Sequence, residues 1–102
     1  MTKSRILVID DHAMVLGGTT TALKIHYPDA ELYTAQTAQQ GFEQVKVVSP
    51  DVIIIDLSMP EKTGEAAKVD TGIQLLRQIM NDFPNLNIVV QSAHVKSLIR
   101  IK

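Results

Sequence analysis

Three short apolar runs in this sequence end next to polar side chains that could do chemistry. The polar residues at these ends are Asp10, Asp11, Asp56 and Ser92. If the runs are parallel strands lying side by side, their carboxyl ends meet at one edge of the sheet, which is where ligands bind in open α/β sheets. Several carboxylates at one place repel one another unless a cation lies between them. The pattern therefore predicts a cation site at the strand ends.

The residue types indicate which chemistry such a site would support. Mg²⁺ takes about six oxygen ligands, usually one or two carboxylates with waters and phosphate oxygens. A carboxylate can also act as a nucleophile and carry a phosphoryl group. Asp56 is the predicted nucleophile, because it ends the most buried run. Asp10 and Asp11 follow a strand directly, in the turn to a helix, and are predicted to hold the metal. Ser92 could donate a hydrogen bond to a phosphoryl oxygen.

The elements that must position these residues alternate between strand and helix. Continuous apolar runs predict strands buried on both faces, whereas alternation of polar and apolar residues predicts an edge strand. The predicted strands are Ile6–Ile9, Glu31–Ala35 (the edge strand), Val52–Ile55 and Asn87–Gln91. Residues with helical spacing fall between them and predict helices over 14–25, after Thr37 (with Gln40 at capping-box spacing), and after Asp70 as the N-cap.

This order predicts an α/β domain over residues 1–102, with a parallel sheet and helices on both faces. Residues 61–69 show no useful period and are predicted to form an exposed loop. Residues 95–102 are predicted to begin a fourth helix.

Composition excludes several classes of function. The chain has 102 residues, 10 Lys and Arg against 11 Asp and Glu, and no Cys. Near-neutral charge argues against a dedicated nucleic-acid or anionic-membrane binder, and the lack of Cys excludes disulfides, thiolate metal sites and cysteine nucleophiles. The first apolar segment is too short for a signal peptide or a membrane span. We therefore expect a soluble, cytoplasmic protein.

Several segments resemble the signature blocks of response-regulator receiver domains from two-component signalling. These segments are Leu7–His12, Asp56–Pro60 and Val89–Ala93, and Gly72–Arg77 is similar to the third helix of that family. The resemblance implies a flavodoxin-like, doubly wound fold. It also implies that Asp56 accepts a phosphoryl group from a phosphohistidine on a sensor histidine kinase or a histidine phosphotransfer protein.

The resemblance further assigns roles at the site. It implies Mg²⁺ held by Asp11, Asp56 and the backbone carbonyl of Ser58, with Asp10 helping, and Ser92 as a switch hydroxyl. The reading from the residues alone treats His12 as an exposed turn histidine rather than a ligand.

The sequence departs from the family pattern in two places. About eight extra residues precede Gly72, where loops usually run about 2–6 residues. The family's fifth strand, which carries a Lys that pairs with the phosphoryl group, and its fifth helix have no counterpart here. We therefore expect a receiver truncated after the start of the fourth helix. The bare apolar edge at 88–91 then predicts a homodimer or a segment-swapped dimer, and a DNA-binding domain could follow in a longer protein.

Two other functions compete with the phospho-accepting switch, which is itself a signalling module rather than an enzyme. One is a pseudo-receiver, a protein-interaction module that keeps the fold without phosphotransfer, and the absent Lys favours it. The other is an aspartate-nucleophile phosphohydrolase. That class needs a general acid two residues after the nucleophile, and Ser58 stands there instead.

Overall fold

A computed structural model describes residues 3–91 of the chain. Strands and helices alternate in the order β1 (Arg5–Ile9), α1 (Ala13–His26), β2 (Glu31–Ala35), α2 (Ala38–Val48), β3 (Val52–Ile55), α3 (Val69–Asp82) and β4 (Asn87–Val90). This confirms the predicted alternation. Ser92 and the predicted start of a fourth helix lie outside the described residues.

All four strands form one parallel sheet in the order β2-β1-β3-β4. β1 lies between β2 and β3, so Ile9 pairs with Ala35 on one side and with Ile55 on the other. β2 is an edge strand, as its alternating pattern predicts. This topology confirms the doubly wound, flavodoxin-like fold and brings the carboxyl ends of β1 and β3 side by side.

The hydrophobic core lies between one face of the sheet and helices α2 and α3. Leu7, Ile9, Ile53 and Ile55 point into it and are completely buried, and they pack in one cluster with residues such as Ile79 of α3. Burying each such side chain contributes about 1.5–3 kcal/mol. These contacts fix the strand ends that carry the candidate site.

The opposite face of the sheet is less covered than the apolar runs alone predict, although the absence of a fifth helix from the sequence pattern predicts that part of one face is uncovered. Val52 and Ile54 of β3 are only partly buried, and Val89 of β4 is 52% exposed. Helix α1 has no fully buried residue, and a groove of about 590 Å³ runs between it and this face, with Leu23 among its lining residues. Within residues 3–91, β3 and β4 are therefore not buried on both faces, and that prediction is wrong. The reason is that α1 covers only part of the sheet face on which it lies.

Helix α2 begins as its sequence predicts. The Thr37 hydroxyl oxygen accepts a hydrogen bond from the backbone N–H of Gln40 (3.1 Å), and the Gln40 side chain accepts one from the backbone of Gln36 (3.0 Å). Two further N–H groups of the first turn donate to the backbone carbonyls of Pro60 and Glu61. The segment that follows β3 therefore satisfies helix donors that would otherwise lack partners.

Helix α3 begins earlier than predicted. Its N-cap is Lys68, whose side chain makes no capping hydrogen bond, and Asp70 lies inside the first turn, so the assignment of Asp70 as the cap is wrong. The backbone of Lys68 pairs with that of Met59 through two hydrogen bonds, and this pairing sets the helix start. Residues 61–68 are exposed, which confirms the predicted loop. The carboxylate of Asp70 still stabilises the positive end of the helix.

None of the helices between residues 3 and 91 has the length and apolar character needed to cross a membrane.

A matched pair of glycine substitutions tests the packing of α3. A Cβ at Gly72 would overlap the backbone carbonyl of Leu57, whereas a Cβ at Gly18 of α1 meets nothing within 4 Å. We expect Gly72→Ala to lower the free energy of unfolding by about 1–3 kcal/mol or more, because backbone must move. Gly18→Ala should raise it by about 0.5–1 kcal/mol, as Ala does in an exposed helix. Urea unfolding measures the free energy of unfolding of each variant. The same change in both variants would contradict the close packing of Gly72 against Leu57.

Candidate functional site

Asp10 lies at the carboxyl end of β1 and is only 4% exposed. Its backbone N–H donates to the carbonyl of Ala35 (3.0 Å), which fixes the chain as it leaves the strand. Its Oδ1 accepts a hydrogen bond from the backbone N–H of His12 (2.8 Å). Such a side-chain-to-backbone bond two residues on is the Asx turn that Asp favours, and here it leads into α1. The carboxylate is thereby held in one orientation.

Asp56 occupies the equivalent place at the end of β3 and is 7% exposed. Its backbone N–H donates to the carbonyl of Ile9 (2.9 Å), so the two strand ends are joined directly. Its Oδ1 accepts from the backbone N–H of Ser58 (3.2 Å). Both carboxylates are therefore fixed by backbone donors rather than by flexible side chains.

His12 joins the two carboxylates. Its Nδ1 lies 3.1 Å from Asp10 Oδ1 and 3.7 Å from Asp56 Oδ2. Each of the three residues offers one atom able to bind a metal, and these atoms all lie within 4.8 Å of one another. The imidazole is about half exposed, so solvent reaches this pocket from the His12 side.

The structure brings together some of the predicted site residues but not all of them. Asp10 and Asp56 meet as predicted. Asp11 is partly buried and does not belong to the group of close ligand atoms, and Ser58 contributes its N–H to Asp56. Ser92 lies outside the described residues. His12 is an exposed residue at the turn into α1, as the sequence reading predicts. That reading did not predict the contact of its ring with Asp10 and Asp56; the signal that could have found it is the position two residues after Asp10, where an Asx turn folds the ring back onto that carboxylate.

Two buried carboxylates this close favour a cation. Carboxylate oxygens of the two residues lie within 4.8 Å of each other, and at that range like charges repel by roughly 3–4 kcal/mol at an effective dielectric constant of about 20. Among residues 3–91, no Lys or Arg forms an ion pair with Asp10 or Asp56. Carboxylate oxygens are what Mg²⁺ prefers, so the donors fit a divalent cation.

The same carboxylates raise the pKa of His12. The largest cause is the hydrogen bond between its ring and Asp10; partial burial opposes the shift, and the negative charges of Asp10, Asp56 and Asp11 add to it. A protonated His12 therefore supplies part of the missing positive charge when no metal is bound.

Comparison with known proteins places the chain in a family. A family model described as the response regulator receiver domain matches residues 6–102. The transcriptional regulatory protein MctR of Rhizobium johnstonii is 34% identical over 92 residues, which is 90% of this chain and 39% of that protein. A protein-glutamate methylesterase/protein-glutamine glutaminase 1 of Dechloromonas aromatica is also 34% identical, over 88% of this chain and 23% of its own length. The chain thus spans about two fifths or less of these relatives.

Solved structures show the same fold. A CheY-like response regulator receiver domain protein from Methanospirillum hungatei has a TM-score of 0.77 at 22% identity, over 95% of this chain and 69% of that one. The isolated REC domain of RcsB from Salmonella enterica serovar Typhimurium, determined in the presence of the phosphomimetic BeF3-, has a TM-score of 0.72 at 26% identity, over 89% and 62%.

The raised pKa of His12 makes stability depend on pH. In metal-free protein, its contribution to the free energy of unfolding is fully present below the ordinary pKa of 6.5 and is lost as pH rises through the higher folded-state pKa. We expect the stability difference between wild type and His12→Gln to shrink over that range in urea unfolding. The imidazole NMR titration should have its midpoint above 6.5. Asp10→Asn should lower this midpoint; a midpoint unchanged by that substitution would contradict the assigned cause.

Proposed function

The chain belongs to the response-regulator receiver domain family, and on that premise we propose that it is a phospho-accepting switch with Asp56 as the acceptor. The observation that carries the proposal is the buried Asp56 carboxylate at the end of β3, with a carboxylate oxygen of Asp10 less than 4.8 Å from it. The backbone bonds to Ile9 and Ser58 hold Asp56 in place, which preorganises it for attack.

The proposed reaction transfers a phosphoryl group from a phosphohistidine. A carboxylate oxygen of Asp56 attacks phosphorus, the P–N bond breaks, and the histidine of the donor protein leaves with the bonding electron pair and takes up a proton. The product is an acyl phosphate on Asp56. Attack requires the carboxylate to be ionised and open to the donor, and the pocket opens to solvent on the side of the half-exposed His12.

We propose Mg²⁺ as the cofactor, held by Asp10, Asp11 and Asp56 together with the backbone carbonyl of Ser58. The oxygen donors and the uncompensated charge of Asp10 and Asp56 support it. Bound Mg²⁺ would neutralise the negative charge that develops on the phosphoryl group. The protein's own contribution is to fix the carboxylates before the donor arrives.

The relatives guide the proposal for partners. MctR is named a transcriptional regulatory protein and the Dechloromonas relative a methylesterase/glutaminase, and this chain matches a minor part of each. We therefore propose that it receives the signal from a histidine kinase or a phosphotransfer protein, and that any enzymatic or DNA-binding output belongs to other parts of a longer protein. Ser92 as the switch hydroxyl, a cytoplasmic location and a homodimer or segment-swapped dimer stay predictions from the sequence.

Phosphorylation by a small donor tests the function. We expect the purified chain, incubated with Mg²⁺ and acetyl phosphate, to gain the mass of one phosphoryl group in intact mass spectrometry. Asp56→Asn should gain none, because an amide is not a nucleophile for this transfer.

Asp29→Asn is the matched control, since Asp29 is an exposed carboxylate away from the site, and it should be phosphorylated like wild type. No gain by folded wild type with either acetyl phosphate or phosphoramidate as donor would favour the pseudo-receiver instead. Equal gain by Asp56→Asn would place the acceptor elsewhere.

A further inference from the structure

Helix α1 turns one side toward the domain and the opposite side toward solvent. The inner side consists of the partly buried residues Leu16, Thr19, Thr20 and Leu23. The outer side carries a stripe of exposed residues, the outer stripe, made of Met14, Gly18, Thr21 and Ile25. At about 3.6 residues per turn, the two sets lie about 180° apart on the helix. The outer stripe is therefore turned away from the sheet that α1 covers.

The composition of the outer stripe is unlike that of an ordinary solvent-exposed helix face. Met14 is 90% exposed and Ile25 is 71% exposed. From Ala13 to Leu23, α1 contains no charged residue. A surface helix normally carries charged and polar residues on its solvent side, and contiguous exposed apolar surface marks an interaction site. The outer stripe is suited to packing against another apolar surface.

The spacing of the outer stripe is that of a helix–helix seam. Its members follow one another at intervals of four, three and four residues, which is the a/d spacing of a coiled coil. The two long side chains, Met14 and Ile25, stand at the ends, and Gly18 and Thr21 stand between them. A Cβ built at Gly18 meets nothing within 4 Å. The centre of the stripe therefore leaves room for a second helix to approach closely.

The outer stripe is complementary to itself when two copies of α1 run antiparallel. Met14 of one copy then lies opposite Ile25 of the other, and Gly18 lies opposite Thr21, because both pairs are centred on the same point of the helix. Each contact is thereby made twice about a two-fold axis, as an isologous interface requires.

The charges at the helix ends favour the same orientation. Lys24 lies in the last turn of α1, and Asp11 stands just before its first turn. Antiparallel pairing places Lys24 of one copy at the same end as Asp11 of the other. Parallel pairing would place like charges together, which is unfavourable.

We propose that α1 packs antiparallel against α1 of a second copy of this chain, with the outer stripe as the seam. This surface is separate from the strand edge at 88–91, on which the sequence alone predicts a dimer. It does not depend on phosphoryl transfer.

The available area sets the strength of this pairing. A helix of 14 residues is about 21 Å long and about 10–12 Å wide, so each copy offers a footprint of roughly 200–250 Å². Stable interfaces bury about 800 Å² per partner. We therefore expect a weak dimer that forms at roughly 0.1–1 mM protein rather than at nanomolar concentration.

Sedimentation equilibrium of the purified chain from about 10 μM to about 1 mM tests the pairing. We expect the weight-average mass to rise from that of a monomer toward that of a dimer. Thr21→Glu should raise the dissociation constant at least about tenfold, because it places two carboxylates close to the two-fold axis and like charges across an interface repel.

Gln78→Glu is the matched control, since it adds the same charge at an exposed position of α3, and it should dimerise as wild type does. A wild type that stays monomeric at about 1 mM, or an equal effect of the two substitutions, would overturn the proposal. Circular dichroism of each variant shows whether it is folded.

Disulfide trapping tests the orientation, because the chain has no Cys of its own. Under mild oxidation, a mixture of Met14→Cys and Ile25→Cys should give a covalent heterodimer, since facing positions can reach the Cα separation of about 4.4–6.8 Å that a disulfide needs. Either variant alone should give at least about fivefold less covalent dimer, because its two cysteines lie about 16 Å apart along the helix axis.

As much covalent dimer from Met14→Cys alone as from the mixture would indicate parallel pairing and overturn the proposal. No heterodimer from the mixture, while wild type dimerises, would place the dimer on another surface such as the edge at 88–91 and overturn it as well. Phosphorylation without dimerisation would defeat this inference alone, and dimerisation without phosphorylation would defeat only the proposed function.

Discussion

Electrostatic repulsion between two buried carboxylates is the constraint on which this site depends. The pairing of Ile9 with Ile55 and the bond from Asp56 N–H to Ile9 set the ends of β1 and β3 level. Asp10 and Asp56 must therefore share one small pocket. If the two carboxylates were far apart, neither would repel the other. Together they favour a nearby positive charge, and within residues 3–91 the only side chain that can form an ion pair with them is that of His12, when it is protonated.

Rigid elements of the fold hold the two carboxylates in position. The core beneath the pocket is built from completely buried aliphatic side chains on one face of the sheet, and Gly72 lets α3 approach the backbone at Leu57. Backbone N–H groups hold the carboxylates that this core positions. Preorganised groups of this kind do not have to reorganise when a ligand arrives, which suits both a metal ion and a phosphoryl group.

The sequence predicted the parts of this arrangement that follow from local pattern. Apolar runs ending in Asp10 and Asp56 predicted the strands and the meeting of the two carboxylates, and the Thr37 cap was also correct. The incomplete burial of Val52 and Ile54 does not follow from the local pattern, because the apolar run 52–55 looks the same whether one or both faces of the strand are covered. Asp70 was misassigned since the pairing of Met59 with Lys68 overrides the usual preference for an acidic cap. His12 was correctly predicted as an exposed turn residue, but its contact with the two carboxylates was not, because that contact depends on a turn geometry that spacing alone does not reveal.

Backbone hydrogen bonds fix both ends of the loop over residues 61–68. Met59 pairs with Lys68, and α2 donates to the carbonyls of Pro60 and Glu61. The loop can therefore move without displacing the pocket beside it. Because backbone bonds hold both ends of this excursion, its tip can change in length or composition without moving Asp56. Each doubling of a flexible loop adds only about 0.6 kcal/mol to the cost of closing it. The sequence and length of this loop can therefore vary while the positions of Asp10 and Asp56 stay fixed, and a short peptide inserted there should leave the pocket unchanged.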